Sequence, residues 1–179
     1  MALDAAMVSS ASCEWATPQA LVDRCAAECG GFDLDPCCEH GTAKASRYYT
    51  ATDDGLRMPW WGTMWINPPW SRDRSKLKWA RNPAQPIAPW LRAAYQSTRD
   101  GDVQCAYVLV PARPDTKWWA RWVLLAHEVR MLKGRVKFDR GDGRKAWSAP
   151  FPSALLIYRA GPLPPAPAVW LSWDARGGE

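Results

Sequence analysis

The sequence predicts an open, doubly wound α/β sheet, mainly parallel with an antiparallel edge, built as one domain. Three observations predict it. Short apolar runs alternate with helical stretches through the first two thirds of the chain, as strands and crossover helices do around a parallel sheet. The run "VQCAYVLV", residues 103–110, is apolar along nearly its whole length, which suits a central strand covered on both faces. The late runs "EVRML", "RVKF" and "SALLIYR" follow one another closely, and this spacing places an antiparallel edge after the parallel part. At 179 residues the chain has the size of one ordinary domain.

Taken in order, residues 1–14 read as a flexible lead, 15–160 as the domain and 161–179 as a Pro-rich tail. Thr17-Pro18 opens the first helix, with Thr as N-cap and Pro at the first helical position. Leu21, Cys25 and Cys29 repeat at four-residue spacing along it, and Gly30-Gly31 ends it. Phe32 to Asp35 form a short strand, "PCCEHGTAKAS" a turn leading into a short helix, and "RYYT" a second strand. "ATDDGLRMPWWG" is a loop, and "TMWI" is a buried strand ending at Asn67. Residues 71–90 are basic and broken by Pro83, Pro86 and Pro89, as in a loop or lid. A helix covers Pro89 to Arg99, the central strand follows, and Asp115 caps a helix running to about His127. Gly134 turns "EVRML" into "RVKF" as a hairpin, and "SALLIYR" is the last strand. The tail "GPLPPAPAVWLSWDARGGE" is extended or loosely docked.

Composition narrows the class. An apolar fraction of 47% and a charged fraction of 23% are those of a soluble globular protein. No run approaches the roughly 18 apolar residues that span a bilayer, and the N-terminus lacks the pattern of a secretion signal. An intracellular protein with no membrane association is expected, so a disulfide framework is not. Cys25, Cys29, Cys37, Cys38 and His40 could make a zinc site. However, adjacent cysteines seldom share one metal, and Cys25 and Cys29 fall on the apolar side of a helix; no metal is expected. Thirteen tryptophans are too many for one core. Of the pairs Trp60-Trp61 and Trp118-Trp119, some rings must be partly exposed, where they can stack on bases. The net charge of +5 is unevenly placed: residues 1–70 carry −5 and residues 71–179 carry +10. That asymmetry suits a cationic small ligand on one part and a polyanion on the other.

Three stretches fall at strand ends, where ligands of such sheets bind: Asp35-Pro36, Asp54-Gly55-Leu56 and Asn67-Pro68-Pro69-Trp70. The third carries chemistry. An exocyclic amine on a base is a poor nucleophile because its lone pair is delocalised into the ring. Two acceptors beside it, the Asn67 side-chain oxygen and the Pro68 carbonyl, draw its hydrogens out of the ring plane and return electron density to nitrogen. The two prolines restrict the backbone, so the acceptors need little rearrangement. Trp70 offers a flat face for stacking. Together they describe a pocket for a flipped-out base.

Asn67-Pro68-Pro69-Trp70 resembles the catalytic motif of S-adenosylmethionine-dependent amino methyltransferases, especially the DNA adenine N6 group. "LDPCCEHG", 34–41, "DDGL", 53–56, and "WATPQALV", 15–22, look like that group's cofactor elements, in its order. "LVPARPDTKWW" and "LKGRVKF…APFPSALLIY" are similar to small phage-encoded Dam-like adenine methyltransferases, so the likeness covers roughly residues 15–158. The resemblance implies a single Rossmann-like methyltransferase domain of phage or prophage origin, acting in the bacterial cytoplasm. It implies that Trp15, Thr17 and Pro18 line the methionine end of S-adenosyl-L-methionine and that Asp35, Pro36 and Gly41 form a turn close to it. It also implies that Asp54 takes the cofactor's adenine amino group and that Asn67, Pro68, Pro69 and Trp70 hold the target base. The chain departs from the pattern in having the single glycine Gly41 in the cofactor motif. Only twelve residues separate Gly41 from Asp54, with no evident acidic partner for the cofactor ribose, and Trp stands in place of Tyr or Phe.

The expected reaction is direct methyl transfer to N6 of adenine in double-stranded DNA. Arg72, Arg74, Lys76, Lys78 and Arg81, with Lys133, Arg135 and Lys137 on the hairpin, would lie on phosphates. Each basic cluster also reads as a solubilising face. The same cradle could hold cytosine N4 or a protein glutamine. A non-catalytic module with Trp stacking and Arg/Lys tracking phosphates would explain the rings and charge, but not three motifs in the right order. The DNA recognition sequence and oligomeric state are not readable.

Overall fold

The computed structural model describes residues 16–70, 87–139 and 147–174. Seven strands form one sheet: β1 (Leu34–Asp35), β2 (Arg47–Tyr48), β3 (Gly62–Ile66), β4 (Val103–Pro111), β5 (Glu128–Leu132), β8 (Ser153–Arg159) and β9 (Ala168–Trp173). Their order is β2-β1-β3-β4-β8-β5-β9. Two further short strands, β6 (Lys137–Phe138) and β7 (Trp147–Ser148), pair as a separate antiparallel ribbon. The helices are α1 (Gln19–Cys29), α2 (Ala88–Asp100) and α3 (Lys117–Trp122).

Strand period explains the two cores. In β3, Met64 and Ile66 face one side and Trp65 the other; in β4, Ala106, Val108 and Val110 alternate with Cys105, Tyr107 and Leu109. β8 divides the same way, with Ala154, Leu156 and Tyr158 opposite Leu155 and Ile157. The α2 residues Trp90, Leu91 and Ala94 and the α3 residue Trp118 cover the first face. The α1 residues Leu21, Val22 and Cys25 cover the second. The sheet is therefore buried on both sides, as its continuous apolar strands require.

β2, β1, β3 and β4 are mutually parallel. The expected antiparallel edge is not where the antiparallel strand lies. β8 runs antiparallel between β4 and β5, inside the sheet, and β9 takes the edge beside β5 in parallel. Burial explains the exchange. Ser153 to Tyr158 are all buried and need neighbours on both sides, whereas Ala168 to Ser172 are exposed and tolerate an edge. The Pro-rich tail is thus docked. The Trp173 ring lies under two guanidinium groups, Arg24 at 4.8 Å and Arg130 at 5.0 Å from its centroid. Arg130 is buried and held by Glu28 at 2.7 Å and Glu128 at 2.8 Å.

Several local expectations are corrected. Thr17 is buried and does not cap α1, which starts at Gln19 after Pro18. The reason lies one residue earlier: Ala16 exchanges backbone hydrogen bonds of 3.1 and 3.0 Å with Asp139, so the chain enters extended. Gly30 does end α1, with φ 81° in the left-handed region. No helix forms between β1 and β2. Asp35 captures two backbone N–H groups there, Cys37 at 3.3 Å and Lys44 at 3.1 Å, and such bonds compete with helix formation. The α3 cap is Thr116, whose hydroxyl accepts from the Trp119 N–H at 3.4 Å, and Asp115 pairs instead with Arg113. The helix ends at Trp122 and continues as a 3-10 turn, Val123–Leu125. The β5–β6 hairpin does not exist: β5 is flanked by β8 and β9, and β6 pairs with β7. As the paired tryptophans required, Trp60 is buried while Trp61 is 43% exposed.

Candidate active site

Because β1 to β4 run parallel, their C-terminal ends share one edge of the sheet, the edge at which open α/β sheets bind ligands. Asp35 ends β1, Thr50 to Asp54 follow β2, and Asn67 to Trp70 follow β3. The three motifs legible in the sequence therefore meet at one edge.

Asp35 is buried and both of its oxygens are engaged by its own loop. Burial pushes its carboxyl up to about 6, against the pull of the Cys37 and Lys44 N–H groups. The side chain braces the turn. The Lys44 ammonium reaches Gln19 Oε1 at 3.1 Å and ties the same loop to the start of α1, beside Thr17 and Pro18.

The loop after β2 packs directly on this turn. A Cβ built on Gly55 would stand 1.9 Å from the Pro36 carbonyl oxygen, so only glycine fits there. The Gly55 carbonyl accepts the Trp60 indole N–H at 2.7 Å, and Trp60 stacks on Trp90 of α2, with centroids 6.0 Å apart. Asp53 accepts from the Thr50 N–H at 2.7 Å and from its hydroxyl at 2.8 Å, bonds that hold its carboxyl below the usual range. Asp54 has φ 56°, the one positive value at a non-glycine position among the described residues. Its carboxylate stands 3.6 Å from Arg57 Nε and is partly exposed. Gly41 is exposed, and nothing described lies within 4 Å of where its Cβ would be. Glu39, two residues earlier, has a buried Oε1 with no hydrogen-bond partner among the described residues.

Pro68 and Pro69 are buried, and Asn67 and Trp70 are half-buried. The Cys37 thiol, pushed well up by burial, is in hydrogen-bond contact with the Asn67 backbone, which joins the β1 turn to the β3 loop. Trp70 is held at two points. Its indole N–H donates to the Leu109 carbonyl at 3.3 Å, and its ring meets Phe138 edge-on at 5.3 Å and 86°. Phe138 belongs to β6, and the next residue is the Asp139 that pairs with Ala16. The start of α1, the ribbon and the Asn67–Trp70 loop thus form one side of the site.

Trp15, Arg72, Arg74, Lys76, Lys78 and Arg81 lie outside the described residues. Of the other expected phosphate contacts, Lys133 pairs with Asp174 at 3.7 Å, and the Arg135 guanidinium donates to the Ala149 and Pro150 carbonyls. Lys137 is exposed on β6. Gly55, Cys37 and Phe138 were not singled out in the sequence. Gly55 was visible in "DDGL" only as a turn glycine, and nothing local marks the other two. Among the described residues no group of three or more His, Cys, Asp or Glu could hold a metal ion, and no helix is long and apolar enough to cross a membrane.

A family model described as DNA N-6-adenine-methyltransferase (Dam) matches residues 5–164. No curated protein matches the chain.

Proposed function

The chain belongs to the DNA N-6-adenine-methyltransferase (Dam) family, and from that premise we propose that it methylates N6 of an adenine flipped out of double-stranded DNA, using S-adenosyl-L-methionine. The observation that carries this reading is the junction of Asn67 with Cys37, which sets the base-holding loop against the turn after β1 at one sheet edge. The residues fit the cofactor. Glu39 Oε1 is a buried acceptor awaiting a donor, and the space over Gly41 is open to a ligand. When bound, the cofactor supplies an electrophilic methyl group on a sulfonium.

The chain's own residues do the rest. Asn67 Oδ1 and the Pro68 carbonyl accept the two hydrogens of the adenine amine and draw them out of plane. Pro68 and Pro69, buried and restricted in φ, hold those acceptors in place before the base arrives. Trp70 stacks on the base, its plane set by Leu109 and Phe138. Asp54 accepts from the cofactor's adenine amino group, and Thr17 and Pro18 line its methionine end. Asp35, Pro36 and Gly41 shape the turn over it. Arg72, Arg74, Lys76, Lys78, Arg81 and the exposed Lys137 contact phosphates, contributing affinity rather than sequence choice.

Incubating the protein with methyl-labelled cofactor and unmethylated duplex DNA is the test. Label on adenine N6, abolished in Asn67→Ala while cofactor binding persists, supports the proposal. Label on cytosine or on protein rejects the substrate.

A further inference from the structure

We propose that Glu39 is the acidic residue that receives the ribose hydroxyls of the cofactor, an inference that rests on the function proposed above. Glu39 sits midway in the loop between β1 and β2. Its backbone is pinned: its N–H donates to the Thr42 hydroxyl at 3.1 Å, and its carbonyl accepts from the Thr42 N–H at 2.9 Å. The side chain is thereby aimed, yet its Oε1 is buried without a partner among the described residues. A buried carboxylate oxygen in that state is destabilising until a donor reaches it.

The neighbouring acids are engaged by the protein. Asp35 is saturated by the Cys37 and Lys44 N–H groups, Asp53 by Thr50, and Asp54 stands beside Arg57. Position selects which donor Glu39 meets. The Lys44 end of the loop is tied to Gln19, where the methionine end of the cofactor is proposed to lie. On the other side His40 bonds the Tyr48 hydroxyl at 3.0 Å, at the end of β2, from which the chain runs on to Asp54 and the cofactor's adenine. Glu39 lies between, where the ribose joins the two ends. A vicinal diol offers a carboxylate two O–H donors, and such charge-assisted bonds are short and strong.

The test is a binding cycle read by calorimetry, with S-adenosyl-L-homocysteine and its analogue lacking the ribose 2′-hydroxyl, on wild type and Glu39→Gln. Glu39→Gln is expected to weaken S-adenosyl-L-homocysteine about tenfold or more. Loss of the 2′-hydroxyl should weaken binding to wild type and change little in the variant, because hydroxyl and carboxylate act on one another. The melting temperature of the ligand-free variant is expected to match or exceed that of wild type, since an unpaired buried charge has been removed. Full additivity, unchanged affinity, or a lower ligand-free melting temperature would overturn the assignment, the last by marking a structural role. Absence of any binding to wild type would instead overturn the underlying cofactor reading.

Discussion

Replacing Gly55 by alanine puts a methyl carbon 1.9 Å from the Pro36 carbonyl oxygen and 3.1 Å from its carbon. Carbon–oxygen contacts need roughly 3.3 Å or more, so the loop after β2 and the turn after β1 must separate by about 1.4 Å. Neither side yields freely. The turn is held by the Asp35 carboxylate, and the loop by the Asp53–Thr50 bonds and by the 2.7 Å bond from Trp60 to the Gly55 carbonyl. Overpacking of this kind costs about 1–3 kcal/mol, and loss of one hydrogen bond adds about 0.5–1.5 kcal/mol. The expected destabilisation of about 2–4 kcal/mol lowers the Tm of a domain this size by roughly 5–12 °C, read by thermal unfolding followed in tryptophan fluorescence. Cofactor-analogue affinity should fall with it, because both loops border the proposed cofactor site. Gly41→Ala is the matched control. Nothing described lies within 4 Å of its Cβ, so stability should stay within roughly 0.5 kcal/mol of wild type. Its affinity for S-adenosyl-L-homocysteine should drop nonetheless. A Gly55→Ala protein with wild-type Tm and wild-type affinity would refute the claim that these two loops are in backbone contact.

Arg130→Ala leaves Glu28 and Glu128 without their shared partner and removes a cation from the Trp173 ring; urea unfolding should show a loss of roughly 3 kcal/mol, and an unchanged midpoint would contradict the docking of β9. Asp35 has a folded-state pKa raised from 3.8 to about 6, so the folded protein binds the extra proton between those values and its contribution to stability falls as pH rises through that window. Relative to Asp35→Asn, wild type should therefore lose stability between about pH 4 and pH 6 and run parallel above it; parallel curves throughout would show that burial does not perturb this carboxyl. Trp70→Ala should cost about 1–3 kcal/mol in binding to DNA carrying the target adenine, whereas Trp70→Phe keeps the stacking face and loses only the bond to Leu109; equal losses would remove stacking as the role of the ring.

The amino-acid sequence by itself determined the alternation of strands and helices, the central place of residues 103–110, the end of α1 at Gly30, and three motifs at strand tips. These features are local. Period, turn chemistry and the stiffness of Asn67-Pro68-Pro69 act within a few residues, so they can be read along the chain. What only the tertiary structure decided involves residues far apart in sequence. β8 stands inside the sheet because its whole run demands burial, a comparison that includes the late-arriving β9. Thr17 does not cap its helix because Ala16 is held by Asp139. Gly55 is required by Pro36, Trp70 is oriented by Leu109 and Phe138, and Lys133 and Arg135 are drawn into contacts within the protein. Each of these depends on which distant groups arrive at the same place, and close packing sets that only once the sheet has formed.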